Sequence, residues 1–198
     1  MLPDPLARDA LPVATIALAR HLLGRLVVRV DPDGVRIGRI VETEAYPPGD
    51  PALHAYRGMT PRNRALFLPP GHAYVYLCYG TSFMLNVSSE AEGIGAGVLL
   101  RALEPLEGIA AMQAARGGRR LRDLARGPGR LAAALAIDRS LDSGDLCARE
   151  PLYLAEDAAP RGAIRRTTRI GLTKAAERRL RFVLRASPFA SGPAALNR

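Results

Sequence analysis

The most constraining feature of this sequence is a pair of strand-like runs joined by a tight turn signal. Leu26 to Val30 is apolar, Asp31-Pro32-Asp33-Gly34 has turn composition, and Val35 to Tyr46 alternates in polarity. Alternation with period two belongs to a strand, and an Asp/Pro/Gly turn between two such runs marks a hairpin. Residues 26–46 therefore predict an antiparallel hairpin.

The remaining elements are read around that ribbon. Residues 12–23 have helical apolar spacing, with Asp9 upstream as a cap and Gly24 as a stop. Residues 52–71 read as short irregular pieces. Ala73 to Tyr79 and Phe83 to Val87 read as strands around a Gly80-Thr81 turn, and Gly97 to Leu103 as a further strand. Glu104-Pro105 is expected to open a helix to about Ala115, because proline suits a first helical turn. Gly127-Pro128-Gly129 precedes a helical run from Arg130 to Ile137. Residues 151–154 and 180–186 read as strands, and Ala158 to Thr168 between them as a loop. The expectation is one mixed α/β domain over residues 1–198, with β elements dominating its first half.

Composition narrows the class. Apolar residues make up 48% of the 198-residue chain and charged residues 24%, which suits a globular domain. Cys78 and Cys147 are too few for a disulfide framework and lack metal-ligand spacing. His21, His54 and His72 have no ligand spacing either. There is no apolar run long enough for a membrane span, and Met1-Leu2-Pro3-Asp4-Pro5 does not read as a secretory signal.

Charge is unevenly placed. The chain carries +9 overall, and Lys174 is its one lysine. Residues 1–100 balance nine Arg against nine acids, so the whole excess follows residue 100. It concentrates at Arg116, Arg119, Arg120, Arg122, Arg126 and Arg130, and again from Arg161 to Arg185. Arginine forks onto phosphate, so two readings stand: a phosphate-facing surface or solvated helix faces. A Gly/Pro turn between Arg126 and Arg130 offers free N–H groups that suit a phosphate, or simply starts a helix. Gly93-Ile94-Gly95-Ala96-Gly97 fails the dinucleotide spacing and reads as a hairpin connection.

Two segments carry chemistry. In Val41-Glu42-Thr43-Glu44-Ala45-Tyr46 a strand puts Glu42, Glu44 and Tyr46 on one face, with the carboxylates roughly 7 Å apart. That distance suits the acid and base of an inverting glycosidase. Alternatively one acid is catalytic, or the face is merely solvated. Tyr74-Val75-Tyr76-Leu77-Cys78-Tyr79-Gly80 puts Tyr74 and Tyr76 on one face and Tyr79 beside the turn glycine. An aromatic at a hairpin tip can wedge into a base stack, and Tyr76 can stack on a base. An aromatic core strand is the plainer alternative.

In this order, the pieces resemble the alkyladenine (3-methyladenine) DNA glycosylase family of base-excision repair, of the type found in mammals and many bacteria. The carriers are Arg39 to Tyr46, His54, Thr60-Pro61-Arg62-Asn63-Arg64, Tyr74 to Gly80, Asn86 and Leu99 to Pro105. They continue with Gly127 to Leu131, Arg169-Ile170-Gly171 and Leu180-Arg181-Phe182, so the resemblance spans about residues 10–192. It implies a curved, mainly antiparallel sheet flanked by helices, with a hairpin that enters the DNA minor groove. It implies Glu44 as the general base and Arg101 as a holder of the attacking water. Tyr46, His54 and Tyr76 would enclose a flipped base, Asn86 would disfavour guanine, and Tyr79 would fill the gap in the duplex. Arg126, Gly127, Gly129, Arg130, Arg169 and Lys174 would meet phosphates.

The implied partner is double-stranded DNA with damaged purines, met by a monomer in the cytoplasm at the nucleoid, with no metal or organic cofactor. Lys174 is the one candidate for a Schiff-base amine and lies far along the chain from Glu44, so a monofunctional enzyme is expected. Two other classes compete: a non-catalytic architectural DNA binder wedging with Tyr79, and an O-glycoside hydrolase using Glu42 and Glu44.

Overall fold

The computed structural model describes residues 1–159 and 161–193. The predicted hairpin is its centre. Strand β1 (Leu26–Asp31) pairs antiparallel with β2 (Gly34–Tyr46) through the Asp31–Gly34 turn. Strands β3 (Ala73–Cys78) and β4 (Ser82–Ser88) form a second hairpin, and β5 (Gly97–Glu107) lies between β4 and β2. Strands β6 (Leu152–Ala155), β7 (Ile164–Thr167) and β8 (Arg181–Leu184) complete a sheet of order β3-β4-β5-β2-β1-β6, with β7 on β8 and β8 on β2. Its described pairings are antiparallel. The sheet is therefore the curled, mainly antiparallel one expected, with helices α1 (Thr15–His21), α2 (Ile109–Ala115) and α3 (Pro128–Ala134) packed against it.

Strand β2 organises the site because its partners change along its length. One edge follows β5 from Ile37 to Tyr46; the other pairs with β1 at residues 34–39 and with β8 at Glu42, Thr43 and Glu44. The Glu42–Glu44 segment thus has neighbours on both edges. Here the β2–β5 register slips twice: Val41 is passed over between Ile40 and Glu42, and Arg101 between Leu100 and Ala102. An extra residue kinks a strand and re-aims its side chain, and Arg101 turns to the carboxylates in this way.

The core joins the helices to one face of the sheet. Leu18 and Leu22, Met112, and Leu131 and Leu135 bury against Ile40, Val75, Leu85, Leu100 and Phe182. Burying each such side chain contributes roughly 1.5–3 kcal/mol.

Three expectations need correction. The Glu104-Pro105 helix start is the end of β5: Pro105 opposes Gly38 beside a register break, where its missing N–H costs no regular ladder bond. Helix α2 begins at Ile109, after Gly108. The Ala158–Thr168 stretch contains β7, whose Arg-rich sequence hid it; Pro160 lies outside the described residues. Asp9 does not cap α1. It sits in a separate turn, and Glu90 accepts from the Thr15 N–H at 2.8 Å instead.

Gly108 allows the sharp exit from β5. Its φ is 72°, and a Cβ there would lie 2.2 Å from the Val35 carbonyl oxygen. Gly108→Ala must therefore displace the start of β2, and is expected to cost about 2 kcal/mol or more in denaturant unfolding.

Candidate active site

Glu42 and Glu44, each fully buried, flank Arg101. Arg101 donates from Nε to Glu42 Oε1 at 2.9 Å, and its Nη1 lies 3.2 Å from Glu44 Oε1. The fully buried Arg181 donates from Nε to Glu42 Oε1 at 2.6 Å, and the Ser191 N–H donates to Oε2. Burial works to raise the Glu42 pKa, but Arg101, Arg181 and the Ser191 N–H overcome it, and the net shift is downward. For Arg101, burial opposes the charge, and Glu44 and Glu42 more than restore it. Removing one member of such a set leaves an uncompensated buried charge, typically about 3–5 kcal/mol.

The two carboxylates are thus unlike. Glu42 is consumed by structural partners, so it cannot serve as the second acid of a glycosidase pair, and the solvated-face reading fails as well. Glu44 accepts from the Ile170 N–H at 2.8 Å on Oε1 and from the Tyr46 hydroxyl at 2.8 Å on Oε2. Its three donor residues, Tyr46, Arg101 and Ile170, all line a cleft of about 610 Å³. Glu44 therefore lies one layer behind the cleft wall, with Tyr46 over Oε2.

The other wall is aromatic. His54, Tyr74, Tyr76 and Asn86 line the same cleft, with Tyr79 at its rim. Tyr74 and Tyr76 stack at 5.3 Å between centroids, and His54 stands edge-on to Tyr76 at 4.5 Å. His54 Nδ1 is 2.9 Å from the Tyr74 hydroxyl. Burial pushes that phenol up to about 12, so it holds its proton and can donate to Nδ1. Asn86 Nδ2 donates to the Tyr74 carbonyl at 3.1 Å. Tyr46 lies beneath the Arg169 guanidinium, 4.7 Å from the ring centroid. Burial and then Glu44 keep the Tyr46 hydroxyl protonated far above its ordinary range.

At the tip of the β3–β4 hairpin, Tyr79 is 95% exposed. Tyr79 and Gly80 both have positive φ, 48° and 69°, and the Thr81 N–H donates to the Cys78 carbonyl. A bulky residue in that conformation is an outlier that the turn imposes, and the turn holds its ring clear of the protein.

The cationic residues divide. Arg130 and Lys174 are exposed. Gly127 opens α3 with a φ of 138°, and Gly129 packs so closely on Ser82 that a Cβ would fall 2.8 Å from its side chain. Arg169 corrects the surface reading: buried, it pairs with Asp50 at 2.9 Å and so has no face for a phosphate. Arg126 is half-buried and committed to the carbonyls of Ala190 and Gly192. Sequence reasoning missed Tyr74, the Ile170 N–H, Arg181 and Ser191. Tyr74 had a usable signal in its shared parity with Tyr76; Arg181 was masked among surface arginines. No group of three or more candidate ligands that could hold a metal occurs among the described residues, and none of their helices is long and apolar enough to cross a membrane.

An antiparallel sheet carrying a buried carboxylate behind an aromatic cleft, with an exposed tyrosine at its rim, has the parts of a base-excising enzyme. Residues 9–188 match the family model described as methylpurine-DNA glycosylase (MPG). A Mesorhizobium japonicum protein named "Putative 3-methyladenine DNA glycosylase" is 66% identical over 97% of this chain and 92% of its own length. Proteins of the same printed name from Paraburkholderia phytofirmans and Rubrobacter xylanophilus are 51% and 52% identical. These alignments cover 96% and 82% of this chain, and 89% and 85% of theirs. The chain belongs to the methylpurine-DNA glycosylase family and is a DNA glycosylase, a hydrolase of DNA repair.

Burial, then Arg62, lowers the His54 pKa below 6.5. The unfolded chain takes up that proton near pH 6.5 and the folded chain does not, so this group's contribution to stability is lost as pH falls through that value. The ring is partly exposed, so the effect on stability is small. An NMR titration of the His54 ring is expected to give a midpoint below 6.5; a midpoint at or above it would contradict the packing.

Proposed function

We propose that this protein is a monofunctional glycosylase that removes alkylated or deaminated purines, of the 3-methyladenine, hypoxanthine and 1,N6-ethenoadenine class, from duplex DNA. The observation that carries the reading is the Glu44 carboxylate directly behind a cleft walled by Tyr46, His54, Tyr76 and Asn86. The damaged nucleotide turns out of the duplex into this cleft, and Tyr79, with the hairpin tip in the minor groove, fills the gap. Tyr46 and Tyr76 stack on the base, and His54 meets its edge. Asn86 crowds the 2-amino group of guanine. Exposed Arg130 and Lys174, with the Gly127–Gly129 turn, meet phosphates.

The reaction needs one water and one base. As Tyr46 turns onto the purine, its hydroxyl leaves Glu44 Oε2 and water takes its place, held also by Arg101. The water oxygen bonds to C1′ and its proton passes to Glu44. The bond from C1′ to nitrogen breaks, its electron pair leaving with the base, and the sugar keeps the hydroxyl. A ring-alkylated purine such as 3-methyladenine carries positive charge and departs as a neutral base, whereas hypoxanthine and 1,N6-ethenoadenine leave with the electron pair as anions and take a proton from solvent. Lys174 is not among the cleft residues, which supports hydrolysis without lyase chemistry. The enzyme acts as a monomer on nucleoid DNA in the cytoplasm.

The first test is excision from duplexes carrying each of the three lesions. Abasic product is expected, and its absence from all three overturns the reading. Glu44→Gln is expected to slow single-turnover excision by about 10²–10⁴-fold without weakening binding to an abasic duplex. Tyr46→Phe keeps the stacking face and uncovers Oε2, so excision should stay within about threefold of the wild type, whereas Tyr46→Ala should lose tenfold or more. Equal losses in the two Tyr46 variants would show that the hydroxyl, not the ring, is what matters.

A further inference from the structure

After β8 the chain returns across the buried carboxylates as a strap. Arg122 Nε donates to the Pro188 carbonyl at 3.0 Å, and Arg126 holds Ala190 and Gly192 from outside. From inside, Arg181 Nη2 donates to the Ser191 carbonyl at 3.0 Å. Ser191 is buried, and its hydroxyl bridges two charges. It donates to Glu42 Oε1 at 2.8 Å and lies 3.4 Å from Arg101 Nη2, which donates to it. Gly192 reaches the other side of the site. Its φ is 77°, and a Cβ there would lie 2.7 Å from Ile170 Cδ1, so the strap backbone packs on the residue whose N–H holds Glu44.

Both groups that meet Glu44 Oε1 are therefore braced by one short segment. Arg101 is fixed through Ser191 and Glu42, and Ile170 through Gly192. We propose that residues 190–192 are a positioning element for the hydrolytic step, holding Arg101 and Ile170 on one oxygen of Glu44 so that the other faces the incoming water. The proposal rests on Glu44 being the general base. Ser191 touches no reacting atom; it acts through Arg101. Arg126 fastens the strap, so its guanidinium serves the site from behind.

The test is a double-mutant cycle on single-turnover excision of hypoxanthine from a duplex oligonucleotide, with binding to a tetrahydrofuran-containing duplex and thermal melting measured on every variant. Ser191→Ala removes the hydroxyl that links Arg101 to Glu42, while Glu42 keeps its direct bonds to both arginines. It is expected to slow excision about fivefold, with abasic-site binding unchanged. In an Arg101→Ala background the same change is expected to cost less than about twofold, because the group it orients is gone. Gly192→Ala, acting through Ile170, is expected to slow excision in both backgrounds without weakening binding.

Equal losses from Ser191→Ala in the two backgrounds, or no loss in either, would overturn the proposal, as would losses that track melting temperature. Glu44→Gln distinguishes the two levels. Retained turnover in that variant overturns the assignment of the base and the proposal with it. Abolished turnover together with additive Ser191 losses overturns the strap's role alone.

Discussion

Arg101 buries one positive charge between two negative ones, and the surrounding structure exists in large part to make that tolerable. A lone buried carboxylate would take up a proton or draw in water. Here Glu42 is held ionised by Arg101, Arg181 and the Ser191 N–H, and in turn holds Arg101 in place. The register slips in β2 and β5 are the backbone counterpart. They put Arg101 at an extra position, so its side chain reaches the gap between the acids. Strand β8 closes the free edge of β2 at those same residues and brings Arg181 with it.

This division of labour explains why two acids two residues apart in sequence have unlike fates. Glu42 spends its hydrogen-bonding capacity on structure. Glu44 keeps one oxygen covered only by a tyrosine hydroxyl, on a side chain that also faces the cleft. Arg169 adds to the arrangement by stacking on Tyr46 while paired with Asp50.

Local pattern made much of the fold legible. The 26–46 hairpin and the β3–β4 ribbon follow from alternation and turn chemistry, and α3 from the Pro128 start. The misreadings share a cause in tertiary context. Pro105 looks like a helix opener until Gly38 and a register break lie opposite it. Arg165 and Arg166 look like loop surface until β8 pairs with them. In the site, the resemblance points to Glu44, Tyr46, His54, Tyr76 and Asn86; the fold brings the last four to one cleft and sets Glu44 behind its wall. Arg169 defeats the surface reading because charge counts carry no information about burial. A cation beside Asp50 and a cation in solvent look alike in a sequence.

The β3–β4 hairpin carries Tyr76 in the cleft wall and Tyr79 at its tip, on one short ribbon. Tyr76 to Cys78 is paired strand, rising roughly 3.3 Å per residue, and the tight turn at Tyr79 and Gly80 follows at once, so the spacing of the two rings is held by a ribbon that does not stretch. On the proposed mechanism the ribbon works as a gauge. A nucleotide displaced too little does not reach Tyr76 once Tyr79 is seated, and one displaced fully meets both. Selection among bases would then begin with a length, before any atom of the purine is compared with the cleft.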